Sequence, residues 1–232
     1  MKNTLYLTSL LLIIGFNAVA GSDQDWKPTE TTGELVIAVE GFSGPEAVRY
    51  DPDQDLYFVS NFNGDVSGDA NAFVSKLSPA GKILELEFMT GTDEYPFHGG
   101  RGMVIVENTL YVVDAEGVHG FNRKTGEHLK FVDLSGFEPG FPNDITLGPD
   151  GNLYVTDTGK SVIYRIEKGA ASVATATPFN ANGITTNPAN GNLIIVPWAG
   201  ALELVEWNIE DQSFNTLGAT AGGGNYDVDS KD

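Results

Sequence analysis

PNDITLGPDGNLYVTDT (142–158) reads as a strand, a tight turn and a second strand. Its turn, Pro149-Asp150-Gly151, joins the fixed φ of proline to residues that tolerate positive φ. The first strand opens on two polar residues, Asn143-Asp144, directly before the apolar Ile145. Such a pair is either a turn device or a pair aimed into a site, and one copy cannot decide. Three other stretches line up with it: GPEAVRYDPDQDLYFVSN (44–61), GRGMVIVENTLYVVDA (100–115) and ANGITTNPANGNLIIVPW (181–198). Each runs polar residue, short apolar strand, turn, then a Leu-Tyr or Leu-Ile strand that ends near a polar group.

A further strand follows each pair, at 72–79, 117–126, 161–169 and 202–208. The turn after it, as in Asn122–Gly126, leads to a fourth strand such as HLKFVDL (128–134). Four strands per unit at a period of roughly 40–45 residues predict a β-propeller. The 28 glycines and 11 prolines and the lack of long runs at 3.6 spacing agree with an all-β chain. A sandwich or meander is the competing reading, and the ordered recurrence argues against it. Units begin near Glu46, Arg101, Asn143 and Asn182, with a fifth near Asp227, so four to five blades are expected. ELVIAVEGF (34–42) stands before the first unit as a lone strand, the kind that closes a last blade. The expectation is a fragment of a six-bladed parent, with two unpaired sheet edges prone to association.

The chain has 232 residues and no cysteine, so neither a disulfide framework nor a Cys-rich zinc cluster is available. Residues 1–20 have the form of an export signal: Lys2, the apolar LYLTSLLLII, then Ala18-Val19-Ala20. The propeller domain is assigned to 21–232, in a periplasmic or secreted protein with no membrane in its mature form. A net charge of −19 makes nucleic acid and anionic membranes poor partners and suits divalent cations.

Residues at equal register on successive inner strands of a propeller converge on the channel axis. Here that column reads Glu46, Arg101, Asn143, Asn182 and Asp227. Singly, the asparagines read as turn residues and Glu46 as a solvated carboxylate. Together, carboxylates and amide oxygens without thiols or a histidine cluster suit a hard cation, Ca²⁺ more than Mg²⁺.

On these motifs the chain resembles the gluconolactonase and senescence-marker-protein group, which shares a six-bladed propeller with paraoxonases and squid-type organophosphate hydrolases. The resemblance covers about 45–200 and implies a catalytic calcium held by Glu46, Asn143 and Asn182, with Asp227 as the further ligand. The Glu, Asn, Asn, Asp order is more similar to the paraoxonase pattern. It also matches Asp144 to a structural-calcium position, though Ala47 stands where that site's usual partner would be.

A calcium at a channel mouth would polarise a lactone or ester carbonyl, and a general base would take the proton of the attacking water. Second-strand ends return to the same mouth, which brings in Asn61, Asp114 and Asp157. Asp157 is the candidate base, against the plainer role of a strand-end turn residue. Arg101 is a candidate for binding a substrate carboxylate or the oxyanion, or a structural ion pair with Glu46. His98, in EYPFHGGRG, is a second candidate base or an ordinary loop histidine. His119 and His128 fall on outer strands, where no site is expected. The leading expectation is an exported calcium-dependent hydrolase of a small-molecule lactone or ester. The rival is a non-catalytic propeller that binds a sugar, a peptide or a protein.

Overall fold

The structure is a computed structural model that describes residues 3–7, 36–65, 68–198 and 203–219. Two strands, β1 (Asn3–Leu7) and β2 (Ile37–Phe42), pair antiparallel. Sixteen more form four sheets of four, each a meander in chain order. Blade 1 holds β3 (Pro45–Asp51), β4 (Leu56–Asn61), β5 (Phe73–Leu77) and β6 (Ile83–Thr90). Blade 2 holds β7 (Met103–Val106), β8 (Thr109–Val113), β9 (Gly117–Asn122) and β10 (His128–Asp133). Blade 3 holds β11 (Pro142–Leu147), β12 (Leu153–Asp157), β13 (Val162–Glu167) and β14 (Ala170–Ala176). Blade 4 holds β15 (Ala181–Thr186), β16 (Leu193–Pro197), β17 (Glu203–Trp207) and β18 (Phe214–Ala219). The expected propeller is therefore present, with four blades among the described residues. The fifth start, at Asp227, lies outside them.

Each hairpin follows from its turn and its alternation. In blade 3, Gly151 takes φ +77°, the left-handed conformation that glycine adopts without penalty, and β12 follows as an unbroken buried run. The core lies between blades rather than within them. Phe58, Val74 and Met89 of blade 1 meet Met103, Leu110 and Phe121 of blade 2. Val104, Val113 and Val132 of blade 2 meet Ile145, Val155 and Tyr164 of blade 3. Tyr154 and Ile163 of blade 3 meet Ile184, Ile195 and Trp207 of blade 4. Blades 2 and 3 are apolar on both faces because each has a neighbour on both sides.

The lone strand has a definite place. Val39 and Phe42 of β2 pack on Val59 and Leu77 of blade 1. Phe58, one residue from Val59, serves the opposite, blade-2 side. So β2 covers the face of blade 1 that blade 2 leaves open. Its strand partner β1 falls within the stretch read as an export signal, and cleavage after Ala20 would remove that partner. Among the described residues no helix is long and apolar enough to cross a membrane.

Candidate active site at the channel mouth

The inner strands β3, β7, β11 and β15 begin at one mouth; β3, β11 and β15 break register there, and so does the segment just before β7. Pro45 faces Asn61 but Val48 faces Val59, so Glu46-Ala47 oppose Ser60 alone. Pro142 faces Asp157 but Ile145 faces Val155, so Asn143-Asp144 oppose Thr156 alone. Ala181 faces Pro197 and Gly183 faces Val196, with Asn182 extra. In blade 2, Arg101 N–H donates to Val113 O at 3.0 Å while Val113 N–H donates to Gly102 O at 2.9 Å. The polar column is thus a column of β-bulges, features that re-aim side chains at barrel rims and beside active sites. A hydroxyl opposite the bulge secures it in two blades. Ser60 Oγ accepts from Ala47 N–H at 3.0 Å, and Thr156 Oγ1 accepts from Asp144 N–H at 3.0 Å.

The bulges also fasten one blade to the next. Gly102 N–H donates to Asn143 O at 2.9 Å. Thr156 Oγ1 donates to Asn182 O at 2.5 Å. Asp144 turns toward blade 4: Oδ2 accepts from Ile184 N–H at 2.9 Å, and Oδ1 accepts from Ile145 N–H at 2.8 Å. The residue matched by resemblance to a structural-calcium position serves here as an inter-blade fastener.

Three residues of the column have buried side-chain oxygen or nitrogen at the mouth. Asn143 and Asn182 are 5 % and 4 % exposed, and Arg101 is 1 % exposed. Glu46 is half-buried, with Oε2 shielded from solvent. Asn182 Oδ1 is buried and accepts no hydrogen bond. An acceptor left that way costs on the order of 1–3 kcal/mol, which a donor or a cation would recover. Among the described residues no cluster of three or more His, Cys, Asp or Glu side chains is arranged to hold a metal. A cation here would draw on amide oxygens as well as carboxylate, and the donor set Glu46, Asn143, Asn182 fits a hard ion on those terms.

The second-strand ends have a different occupation. Asn61 Oδ1 accepts from Ser43 N–H at 3.1 Å. Asp114 Oδ1 accepts from His98 and Gly99 N–H at 3.0 and 2.6 Å. Asp157 accepts from Phe141 and Lys160 N–H on Oδ1, at 2.7 and 2.9 Å, and from Gly140 N–H and Tyr164 OH on Oδ2, at 2.9 and 3.1 Å. In three blades the same position staples the loop that leads into the inner strand. With four donors in place, Asp157 has its lone pairs engaged, so the structure gives it the turn-forming role rather than that of a poised base. Burial and the Asp157 charge push the Tyr164 phenol well above its ordinary range.

Arg101 sits between these groups. Its guanidinium lies 3.9 Å from the Phe141 ring centroid, and Nη1 donates to Pro142 O at 2.6 Å. Burial lowers its pKa, against the attraction of Asp114, Glu46 and Asp157. It is an internal ion rather than an accessible substrate anchor. His98 lies partly buried at the rim, where Nδ1 accepts from Ala70 N–H at 3.2 Å and Nε2 stands 3.9 Å from Glu116. In that arrangement Nε2 carries the proton, so His98 is set as a donor rather than a base.

The sequence reading missed one constellation. His119, on β9, is fully buried, with Nε2 3.2 Å from Asp114 Oδ2 and Nδ1 3.0 Å from His128 Nε2. Phe97, Phe121 and Phe131 surround it. Asp114 is pushed up by burial but held below its ordinary value overall by His119 and the loop N–H groups. Burial and His119 lower His128. No motif marks this side-chain cluster; the one signal in the sequence was His119 standing between Val118 and Phe121 on a strand.

No family model matches this chain, and no curated protein matches it in sequence. Solved structures do match in fold. A catalytically inactive virginiamycin B lyase from Staphylococcus aureus, crystallised with quinupristin, superposes with a TM-score of 0.59 at 16 % identity, over 84 % of this chain and 63 % of the lyase. A candidate gluconolactonase gives 0.56 at 18 % identity, over 80 % of this chain and 67 % of the other. A chain from a nidogen–laminin complex gives 0.52 at 19 %, over 65 % of this chain and 60 % of the other. This chain thus spans less than two thirds of the lyase's length. The shared property is the β-propeller fold, in agreement with the architecture above.

Proposed function

We propose that this propeller is an enzyme whose channel mouth acts on a small molecule with an activated carbonyl, a lactone or related ester. The observation that carries the reading is Asn182 Oδ1, a buried oxygen with no hydrogen bond, on a bulged strand in register with Glu46 and Asn143. The names of two propellers of like fold, a candidate gluconolactonase and a lyase seen with quinupristin, point to small-molecule chemistry.

Glu46, Asn143 and Asn182 would hold a calcium ion; Asp227, the further ligand by resemblance, lies outside the described residues. A bound calcium supplies Lewis acidity toward a carbonyl oxygen. The chain supplies the rest. Bulges hold the ligating side chains inward, Arg101 keeps a positive potential beside the developing oxyanion, and His98 Nε2–H can donate a hydrogen bond to a substrate oxygen. The leader at 1–20 makes this an exported enzyme, and a mature N-terminus at Gly21 tests that point.

The test is lactone hydrolysis by the full chain with calcium and with chelator. Activity that needs calcium and is lost in Glu46→Gln, with circular dichroism unchanged, supports the reading. Activity indifferent to chelation removes the metal. The rival, a binding module, draws on the full engagement of Asp114 and Asp157 in loop stapling. Calcium binding without hydrolysis of any lactone or ester would favour it.

A further inference from the structure

The mouth already holds one buried cation. Arg101 is 1 % exposed, lies on the Phe141 ring at 3.9 Å and donates to Pro142 O at 2.6 Å across the blade 2–blade 3 junction. A guanidinium keeps its charge at any ordinary pH. Burying it without compensation would be prohibitive. The compensation comes from three carboxylates on three blades: Asp114 at the end of β8, Glu46 on β3 and Asp157 on β12. Two of these are anchored, Asp114 by two loop N–H groups and Asp157 by three backbone N–H groups and the Tyr164 hydroxyl, which fixes their positions. Glu46 is the third, and it is also the carboxylate of the ligand set. A divalent ion placed among Glu46, Asn143 and Asn182 would therefore share its carboxylate with a guanidinium fixed in place by stacking and a backbone bond. Two cations that draw on one carboxylate repel each other.

We propose that Arg101 is an internal counter-ion that competes with the metal, holding three blades' carboxylates together in the metal-free ring and setting the calcium concentration at which the mouth fills. This rests on Glu46, Asn143 and Asn182 being metal ligands. It assigns Arg101 a job that neither substrate binding nor a simple surface ion pair would give it. Removing its charge should have two opposite effects: a weaker ring without calcium and a tighter site with it.

The experiment is calcium titration by calorimetry on the full chain, at fixed ionic strength, paired with thermal melting with and without calcium. Arg101→Gln should bind calcium at least tenfold tighter than wild type. Its melting temperature should fall below wild type in chelator and recover as calcium is added. Arg101→Lys keeps a cation and should stay within about threefold of wild type in affinity. Glu46→Gln added to Arg101→Gln should abolish the gain. If wild type binds calcium and Arg101→Gln binds it no tighter, the counter-ion role is overturned while the metal reading stands. If neither binds calcium, the metal reading itself fails and takes this inference with it. If Arg101→Gln is unfolded at every calcium concentration, the metal cannot take the guanidinium's place and the proposal is rejected.

Discussion

Gly102 shows how tightly the mouth is built. A Cβ there would stand 2.2 Å from Asp144 Oδ1, 2.6 Å from Asp144 Cα and 2.9 Å from Asn143 O. Two of those atoms are backbone, so no side-chain rotation relieves the clash. Gly102→Ala should therefore lower stability by about 2 kcal/mol or more, read by urea unfolding, mainly by breaking the 2.9 Å bond between Gly102 N–H and Asn143 O. A change under about 0.5 kcal/mol would mean that blades 2 and 3 are not in this contact. Asn143 and Asp144 show what a pair of letters conceals. Both polar residues sit in one bulge, yet Asn143 belongs to the mouth and Asp144 reaches Ile184 in the next blade. Their polarity was legible in the sequence. Their separate destinations were not, because a bulge exists only in the pairing of two strands.

The strands carry two further expectations. Thr156 on β12 accepts from the bulge of its own blade and donates to that of the next, at 3.0 and 2.5 Å. Thr156→Val keeps the shape and removes both bonds. It should cost about 1–3 kcal/mol and speed amide exchange at Asp144 and Ile184, while exchange in β13 stays as in wild type. The second concerns β9 and β10. Burial first, then His119, lowers His128 from the ordinary histidine value of 6.5. A histidine with a depressed folded pKa favours the fold above its unfolded value, and that support is lost as pH falls through the folded one. Stability should thus decline below about pH 6.5. The decline should be smaller in His128→Gln, read as the melting temperature from pH 7.5 to 5. Identical pH profiles would exclude His128 as its source. The sequence placed both histidines correctly on outer strands. It could not show that the rings meet, because that depends on the register of β9 against β10, which puts both on one face of the sheet.

The ring of blades is held at its other rim as well. Arg123, in the β9–β10 turn of blade 2, bonds Asp51 Oδ1 at 2.5 Å and also Asp53, both in the β3–β4 hairpin of blade 1. Asp51 and Asp53 thus form an inter-blade clasp with Arg123. Burial would raise Asp51, but bonds from Gln54 and Arg123 outweigh it and its pKa lies below the ordinary value. A carboxylate shifted down lends its stability above the unfolded pKa and withdraws it as pH falls through the folded one. Arg123→Met should therefore cost on the order of 3 kcal/mol at neutral pH, since it leaves Asp51 buried without its partner. It should also flatten the loss of stability as pH falls below the ordinary aspartate value of about 4. An unchanged urea midpoint at pH 7 would show that the clasp contributes nothing.

Reading the chain residue by residue was enough to establish hairpins, their turns, the four-strand period and therefore the propeller. Those features rest on contacts between near neighbours, where turn chemistry and alternation act directly. The same register also brought Glu46, Arg101, Asn143 and Asn182 into one column. The column's roles came from elsewhere. Asp144 meets Ile184 across 40 positions, Arg101 meets Pro142 across 41 and Arg123 meets Asp51 across 72. Partners so distant leave no local pattern. They are chosen when apolar sheet faces stack and bring the bulges together, and only that packing turned Arg101 inward among carboxylates and left Asn182 Oδ1 buried without a donor.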